Sequence, residues 1–501
     1  MTNKIRIGRL SLNLPGEVIS KVTREVLDLF GIVIDEDSFD FAGIELFHDV
    51  VHGSPMRVAT EMTLIKANGE SKRFHAEGEA RSDEIERAAI NRLVKLNFYQ
   101  LLRETFSFAS APWGILHGVR PSKIVQRYID RGMERDAIIS RLRDDYDVSR
   151  EKAELLTDIS FHERPFIAMT DPRTISVYVG IPFCLTRCLY CSFPSVILPS
   201  NDVLDEFMRV FERDLRAATS DVRANHFKVQ NIYIGGGTPT SLPDGYFGRM
   251  MELVCGAFYN DGIVEFTVEA GRPDSVTPAK LSAMAGHHVN RVSVNPQTMR
   301  DATLRRIGRN HTAEDIVRMY HEVREAGLPS INMDVILGLP GEDEHDVAYT
   351  MGEIERLAPD DVTLHALALK RGSDLKTNLI LKTMENDLPD DATVRRMYEA
   401  AMEKIRAMRL TPYYLYRQGY QSGQLENIGC CKVGRESMYN MQIMEEKQTI
   451  IGVGGAATSK IVNPKTQRME ASFNPKDLKT YLEKIDYYIE KRRNLIDRAY
   501  D

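Results

Sequence analysis

Short apolar segments alternate with amphipathic segments six times between residues 174 and 372. The apolar segments are rich in β-branched residues, which is typical of buried strands. They cover residues 175–179, 229–234, 265–268, 291–294, 331–336 and 362–369. Between them apolar residues recur at helical spacing, as in residues 202–223. Strands that alternate with helices of this length predict a parallel sheet with right-handed crossovers.

Six such units are too few for a closed eight-stranded barrel. The pattern therefore predicts an α/β fold built on a partial (β/α)6 barrel that spans residues 174–372. In folds of this type ligands bind at the C-terminal ends of the strands. Residues that follow the six strands are thus the first candidates for a functional site.

The segment before the repeat has a different pattern. Residues 1–110 mix strand and helix signals and predict an N-terminal α+β domain. Helices are predicted at 17–30 and from Ser82, as a candidate cap, to Phe106. Strands are predicted at 4–14, 44–47, 57–66 and 73–80. The domain is either a platform for a substrate or partner, or a scaffold for the barrel, because no group of chemically active side chains falls within it.

Two further segments complete the predicted organisation. Residues 111–173 are helical and charged, and they predict a connector to the barrel. Residues 373–501 predict a C-terminal domain. Its expected elements are a helix at 393–408, an aromatic strand at 413–417 and a charged surface helix at 475–499.

Composition and charge exclude some classes of function. Hydrophobic residues make up 43% of the 501 residues and charged residues 27%, as in ordinary globular proteins. The net charge of -7 gives no electrostatic case for nucleic-acid binding. No apolar stretch is long enough for a transmembrane span, and the charged start does not resemble a signal peptide. We therefore expect a cytoplasmic protein with reduced thiols.

Three of the six cysteines lie on one short loop directly after the first barrel strand. Cys184, Cys188 and Cys191 have the spacing C-x3-C-x2-C. Three thiolates on one loop can hold three irons of a cubane cluster and leave the fourth iron open to a small molecule. A structural zinc site is the alternative, although zinc usually takes four ligands and no second pair lies nearby. The spacing favours the cluster.

The cysteine loop resembles that of the radical S-adenosyl-L-methionine (SAM) enzymes, whose motif is C-x3-C-x-aromatic-C. Tyr190 is the aromatic residue here. Within that superfamily the whole chain is similar to the coproporphyrinogen III oxidase-like family, and in particular to its HemZ type, which has a long N-terminal extension. The matching blocks are 112–116, 118–121, 235–240, 268–273, 295–297, 332–334, 413–418 and 425–427.

The resemblance implies a 4Fe-4S cluster on the three cysteines and a SAM site at the strand ends. In this family the site can hold two SAM molecules. The residues at the matching positions are Tyr178, Tyr190, Gly236, Gly237, Thr238, Glu269, Gln297, Arg309, Asp334 and Ala368. For each polar residue taken alone, helix capping or a surface ion pair is the ordinary alternative. The resemblance also places residues 426–429 and 450–457 in a cover over the barrel mouth, with glycines packed against adenine or substrate.

The implied reaction is the oxidative decarboxylation of coproporphyrinogen III to protoporphyrinogen IX, in which two propionates become vinyl groups. The partners would be the porphyrinogen and an unidentified electron donor. Lys370, Arg371 and Arg417 are candidates for contacts with propionates because of their positions.

The chain departs from the best-known oxidases at Phe193, where they have a fourth cysteine. Heme chaperones of the same family also have phenylalanine there, and the HemZ type lacks the cysteine too. A heme-binding chaperone and a heme-directed radical SAM methyltransferase are therefore alternatives. Cys255 is expected to be a buried small hydrophobe. Cys430 and Cys431 are either inert packing residues, a source of a fourth cluster ligand, or hydrogen-atom donors.

Overall fold

The structure, a computed structural model, describes residues 5–14, 16–168, 171–370, 372–380, 387–418 and 422–501. It divides into two compact units, Met1–Asp158 and Ile159–Asp501. None of the helices in these ranges is both long and apolar enough to span a membrane.

The first unit is a five-stranded sheet followed by helices. Its elements are β1 (Arg6–Leu12), α1 (Glu17–Leu29), β2 (Val33–Ile34), β3 (Phe41–Val51), β4 (Arg57–Lys66), β5 (Ser71–Glu79), α2 (Glu86–Phe106), α3 (Ser122–Asp130), α4 (Arg135–Tyr146) and α5 (Arg150–Ala168), which crosses the division between the units. The strand order is β2-β1-β3-β4-β5. Helices α1 and α2 pack together, and α2 covers β4 and β5. Buried Ile7, Val26, Ile44, Phe98 and Tyr99 form its core.

The cap predicted at Ser82 is wrong. Helix α2 begins at Glu86, and its first turn has no side-chain cap. Glu84 accounts for the difference, since its carboxylate accepts two hydrogen bonds from Arg92, each of 2.7 Å, and one from the backbone N–H of Arg81. This charged pair fixes the entry to the helix in place of a hydroxyl cap.

The second unit contains the predicted alternation of strands and helices. Its elements up to the sixth predicted strand are β6 (Thr174–Ile181), β7 (Phe183–Cys184), β8 (Val196–Ile197), α6 (Asn201–Ala224), β9 (Lys228–Gly236), α7 (Asp244–Phe258), β10 (Glu265–Glu269), α8 (Pro278–Gly286), β11 (Arg291–Ser293), α9 (Asp301–Arg306), α10 (Ala313–Glu325), β12 (Ser330–Leu337), α11 (Glu344–Leu357) and β13 (Asp361–Ala366). Strands β6 and β9 to β13 pair in parallel, in chain order. The predicted α/β fold is confirmed.

The C-terminal residues add elements to the same sheet. They are α12 (Asp374–Ile380), α13 (Asp391–Ala407), β14 (Thr411–Tyr416), β15 (Asn427–Cys431), α14 (Met438–Glu445), β16 (Thr449–Gly454), β17 (Thr458–Val462), β18 (Met469–Phe473) and α15 (Leu478–Tyr500). Strands β15 and β14 extend the sheet beyond β13 in antiparallel pairing. Strand β16 pairs in parallel with β6, and β17 and β18 follow it. The resulting eleven-stranded sheet is open between β14 and β18.

Most of the cover predicted at 426–429 and 450–457 forms strands of this sheet, because Asn427–Cys431 is β15 and Thr449–Gly454 is β16. Their position over the barrel mouth stays a prediction. Every residue of β16 is buried, as expected for a strand inside a parallel sheet. Its two glycines, Gly452 and Gly454, lie close to the backbone of neighbouring strands. Gly454 has a φ of +93°, and a Cβ atom there would collide with the carbonyl oxygen of Gly180 on β6.

Two buried carboxyl groups meet where α5 faces α14. Glu163 and Glu445 are each 1% exposed. Burial, together with the charge and hydrogen bond of Glu445, raises the pKa of Glu163 well above its ordinary value of 4.5. Between pH 4.5 and the raised pKa, the folded protein therefore keeps a proton on Glu163 that the unfolded chain releases. Its stability should fall as pH rises from 4.5 through the raised pKa.

The substitution Glu163→Gln should remove this pH dependence. We expect it to raise the free energy of unfolding at pH 8 by about 1 kcal/mol, since one pKa unit corresponds to about 1.4 kcal/mol. Thermal unfolding between pH 5 and 8 measures the effect, with the exposed Glu252→Gln on α7 as control. A variant whose pH profile matches the wild type would contradict the prediction.

Candidate functional site

The cysteine loop leaves β6 and is held against the glycine turn that follows β9. Strand β7, which includes Cys184, pairs with β8 and closes the loop. The N–H of Gly237 donates to the carbonyl of Ile181 at 2.8 Å, and the N–H of Thr238 donates to that of Phe183 at 2.7 Å. A Cβ atom on Gly237 would lie 2.5 Å from the Phe183 oxygen and 3.0 Å from the sulfur of Cys184. Only glycine permits this contact.

All three cysteines of the loop line one cavity at the C-terminal ends of the strands. Each is a free thiol. The other lining residues are Thr186, Arg187, Tyr190, Ser195, Gly237, Thr238, Glu269, Gly271, Arg272, Asn295 and Arg309. Across the described ranges, no three His, Cys, Asp or Glu side chains converge as the ligands of a single metal ion. A cubane binds each thiolate to a different iron, so sulfurs spread around one cavity fit such a cluster.

The thiol of Cys191 is hard to ionise where it lies. Burial raises the pKa of Cys191, and the neighbouring Cys188 and Cys184 raise it further, against a hydrogen bond from the backbone N–H of Phe193. An iron–sulfur cluster would compensate three crowded thiolates. The donor set therefore suits a positively charged metal group.

Glu269, at the end of β10, faces the glycine turn. Its carboxylate accepts from the hydroxyl of Tyr233 at 2.7 Å and from the N–H of Gly236 at 3.2 Å. Burial raises its pKa to about 7, with the charge of Asp334 acting in the same direction against these hydrogen bonds. At neutral pH this carboxyl group is therefore partly ionised. Its ionised form can accept a hydrogen bond from the ammonium group of a ligand.

Gln297 and Arg309 present buried polar atoms that lack hydrogen-bond partners. Gln297 has a φ of +65°, and its backbone bonds to β12 on both sides, through Asp334 at 2.9 Å and Ile336 at 3.0 Å. Its Oε1 atom has no partner, and neither does Nε of Arg309. The Nη1 atom of Arg309 donates to the carbonyl of Asn295 at 2.5 Å. Buried groups of this kind are normally satisfied, so they fit a polar ligand at this end of the sheet.

Asp334 lies inside the sheet, beside polar side chains. Asn332 donates to it at 2.7 Å, and Nε2 of His365 lies 3.7 Å from the same oxygen. Burial opposes ionisation, but the neighbouring His365, Asn332 and Thr363 lower the pKa of Asp334 below its ordinary value. Asp334 is thus a carboxylate at neutral pH, able to accept ligand hydroxyls.

Three tyrosine rings stack on one another next to Glu269. Tyr178 and Tyr233 stack at 6.0 Å between ring centroids, and Tyr439 of α14 stacks on Tyr233 at 4.5 Å. Tyr190 of the cysteine loop is a separate case, since it lies beside Arg309, and burial raises its pKa. Ala368 comes two residues after β13 ends.

The structure brings most of the sequence-predicted residues to one place. Eight of them line the cavity: Cys184, Cys188, Cys191, Tyr190, Gly237, Thr238, Glu269 and Arg309. Gly236, Tyr178 and Asp334 interact with Glu269, and Gln297 is joined to Asp334. Ala368 is not among the lining residues in the part of the chain that the structure describes.

The proposed propionate contacts and the remaining cysteines are placed differently. Lys370 is exposed, whereas Arg417 is 6% exposed and donates to the carbonyl of Gln424 at 3.2 Å, so Arg417 is not at a rim. Arg371 lies outside the described residues. Cys430 and Cys431 are buried opposite the first residues of β13, at the end of the sheet away from the cavity. Their position indicates packing rather than cluster binding.

Sequence reasoning missed several residues of the site. They are Tyr233, Arg272, Asn295, His365 and Tyr439. Tyr233 and His365 lie on predicted strands, and the alternation of side chains along those strands could have identified both residues as candidates. Arg272 and Asn295 fall in matching blocks. Tyr439 lies on α14, which no pattern in the sequence indicated.

Comparison with known proteins identifies the relatives of this chain. The model of the Radical SAM superfamily matches residues 178–354. The oxygen-independent coproporphyrinogen-III oxidase-like protein HemZ of Bacillus subtilis is 35% identical over 409 residues, which cover 80% of each chain. The heme chaperone HemW of the same organism is 28% identical over 292 residues, or 58% of this chain and 72% of HemW.

A solved structure shares the fold. Coproporphyrinogen III oxidase (HemN) from Escherichia coli superposes with a TM-score of 0.53 at 22% identity, over 66% of this chain and 72% of HemN. The radical SAM superfamily uses a 4Fe-4S cluster and SAM, so the cluster is confirmed over zinc as the cofactor. The chain belongs to the oxygen-independent coproporphyrinogen-III oxidase-like family of radical SAM proteins, as its sequence motifs predicted.

Proposed function

We propose that this protein oxidatively decarboxylates two propionates of coproporphyrinogen III and so forms protoporphyrinogen IX. The observation that carries the proposal is the likeness to the HemZ type along most of the chain. The arrangement of strand-end groups around the cysteine loop supports a radical SAM reaction of some kind. Each propionate loses a hydrogen atom, carbon dioxide and one electron, which passes to a one-electron acceptor.

The cofactors supply the difficult chemistry. When bound, a reduced 4Fe-4S cluster and SAM provide a 5′-deoxyadenosyl radical that can remove hydrogen from a propionate. In the proposal Cys184, Cys188 and Cys191 hold the cluster. The glycines at 236 and 237 would let the backbone of 236–238 approach SAM closely.

The remaining side chains orient SAM and exclude water. Glu269, with its pKa near 7, takes the ammonium group. The planar guanidinium of Arg309 suits the carboxylate, while Asp334 and Gln297 suit hydroxyl and amine groups. The stacked tyrosines occupy the interior beside Glu269, and so keep water from the reacting centre.

Arg309→Ala and Asp334→Ala should each weaken SAM binding roughly tenfold or more. A hydrogen bond to a charged group contributes about 1.5–3 kcal/mol, and each change also leaves the ligand group without a partner. Calorimetry on anaerobically reconstituted protein measures the affinity. Arg300→Ala is a suitable control, since Arg300 pairs with Asp346 outside the cavity. Unchanged affinity in both variants would refute the assignment.

A heme chaperone is the second candidate. Phe193 stands where the best-known oxidases have a cysteine, and HemW is among the relatives. The candidates differ in their products. An oxidase couples formation of 5′-deoxyadenosine to loss of two carboxylates from the porphyrinogen, whereas a chaperone binds heme stably and leaves coproporphyrinogen unchanged.

The deciding experiment supplies reconstituted protein with SAM, reductant, an electron acceptor and coproporphyrinogen III under anaerobic conditions. We expect mass spectrometry to find protoporphyrinogen IX and its one-vinyl intermediate. Cleavage of SAM with neither product would rule out the oxidase. Stable heme binding would then favour the chaperone, and methylated or ring-opened heme would favour a methyltransferase.

A further inference from the structure

Arg272 occupies the turn after β10 and is held by a carboxylate on one side. Only 3% of the residue is exposed. Its Nε and Nη2 atoms donate to the two oxygens of Asp274, at 3.0 and 2.6 Å. This bidentate pair fixes the plane of the guanidinium. The third nitrogen, Nη1, therefore has a defined direction.

That third nitrogen points at the cysteine loop. Nη1 of Arg272 donates to the hydroxyl of Thr186 at 2.8 Å and to the Thr186 carbonyl at 3.1 Å. It also lies 3.9 Å from the sulfur of Cys188, within hydrogen-bonding range for sulfur. One buried cation thus ties the end of β10 to the middle of the loop.

Cys188 differs in this respect from the other two cysteines. The guanidinium of Arg309, which is 5% exposed, also interacts electrostatically with Cys188, so two buried guanidinium groups act on this cysteine. The sulfur of Cys184 instead accepts from the neutral hydroxyl of Thr238, at 3.6 Å. Buried positive charge therefore lies beside Cys188, whereas the cations near Cys191, which are Arg187 and Lys370, are exposed.

We infer that Arg272 is a positioning residue that holds Cys188 for the cluster and raises the reduction potential of that cluster. The inference rests on the cluster assignment and is independent of the substrate. Reduction adds negative charge to an iron–sulfur cluster, and hydrogen bonds and cations near its sulfurs favour the reduced form. A buried cation acts more strongly than an exposed one, because solvent screens it less.

The test is a redox titration followed by electron paramagnetic resonance, with reconstituted protein and without SAM or porphyrinogen. In Arg272→Gln we expect four irons per chain and a more negative midpoint. At a fixed ambient potential the ratio of reduced to oxidised cluster should fall roughly threefold or more, as expected for the loss of one ordinary hydrogen bond. Arg272→Lys keeps the charge but not the bidentate pair. The midpoint potential of this variant should shift in the same direction, but by less.

Arg300→Gln is the matched control. Arg300 has the same charge, but its side chain is 41% exposed and pairs with Asp346 outside the cavity. We expect its midpoint to stay close to that of the wild type. An unchanged midpoint in Arg272→Gln, or an equal shift in Arg300→Gln, would overturn the inference. If Arg272→Gln does not load iron, a wild-type midpoint in Arg272→Lys would overturn it.

The same measurements separate this inference from the assignments beneath it. Wild-type protein that loads no 4Fe-4S cluster would refute the cluster site and the role of Arg272 together. A failure to convert coproporphyrinogen III would refute the proposed substrate alone, because no porphyrinogen enters the titration.

Discussion

Protein in which Cys184, Cys188 and Cys191 are all replaced by alanine should bind no 4Fe-4S cluster after anaerobic reconstitution. The three thiols line one cavity, and each would ligate a separate iron. Iron analysis and the visible absorption spectrum measure the loss. Cleavage of SAM should disappear with it, because the electron for that reaction comes from the cluster.

Cys255→Ala is the control for this experiment. Cys255 is a free, partly exposed thiol on α7 and does not line the cavity. It should retain four irons and an unchanged spectrum. A triple variant that still bound four irons would show that other residues ligate the cluster. Cys430 and Cys431 would then be the next cysteines to replace.

The substitution Arg492→Ala should lower the stability of the second unit by about 3–5 kcal/mol, as expected when one partner of a buried ion pair is removed. Arg492 of α15 is 1% exposed. It donates to Asp214 of α6 at 2.7 Å and to the carbonyl of Gly452 on β16 at 3.0 Å. Its loss would leave the carboxylate of Asp214, which is 0% exposed, without its cation.

Arg493→Ala is the neighbouring control. Arg493 pairs with Asp221, but its side chain is 48% exposed, so the cost should be about 1 kcal/mol or less. Hydrogen exchange of amides in α6 and α15 is the suitable measurement, because a chain of two units need not unfold in one step. Equal protection in Arg492→Ala and Arg493→Ala would contradict the prediction.

Local patterns were sufficient for the six central strands but not for β16. The strands of residues 174–372 alternate with helices, and that rhythm identifies a parallel sheet. The segment 449–454 stands outside the rhythm and contains two glycines. Its partner in the sheet, β6, lies far away in the chain: Ser176 and Gln448, which are hydrogen-bonded, are 272 residues apart. No local signal specifies such a pairing.

The candidate site, like the sheet, could be predicted from the sequence only in part. The cysteine loop and the polar residues at strand ends could be identified from the sequence, because each motif lies within a few positions of a strand. The role of Arg272 depends on contacts with Asp274, two residues away, and with Thr186, 86 residues away. Tyr439 reaches Tyr233 from α14. Contacts of this kind follow from tertiary packing and cannot be deduced from spacing.

The pairing of β16 with β6 also has a consequence for how the chain is made. During translation β6 emerges early, and the edge that later receives β16 stays open until residue 454 has left the ribosome. An open, apolar edge strand is a template for pairing with other chains. A nascent chain that stops after residue 448 would include every proposed cluster and SAM residue, yet it would expose this edge. We therefore expect such truncated chains to aggregate or to be held by chaperones.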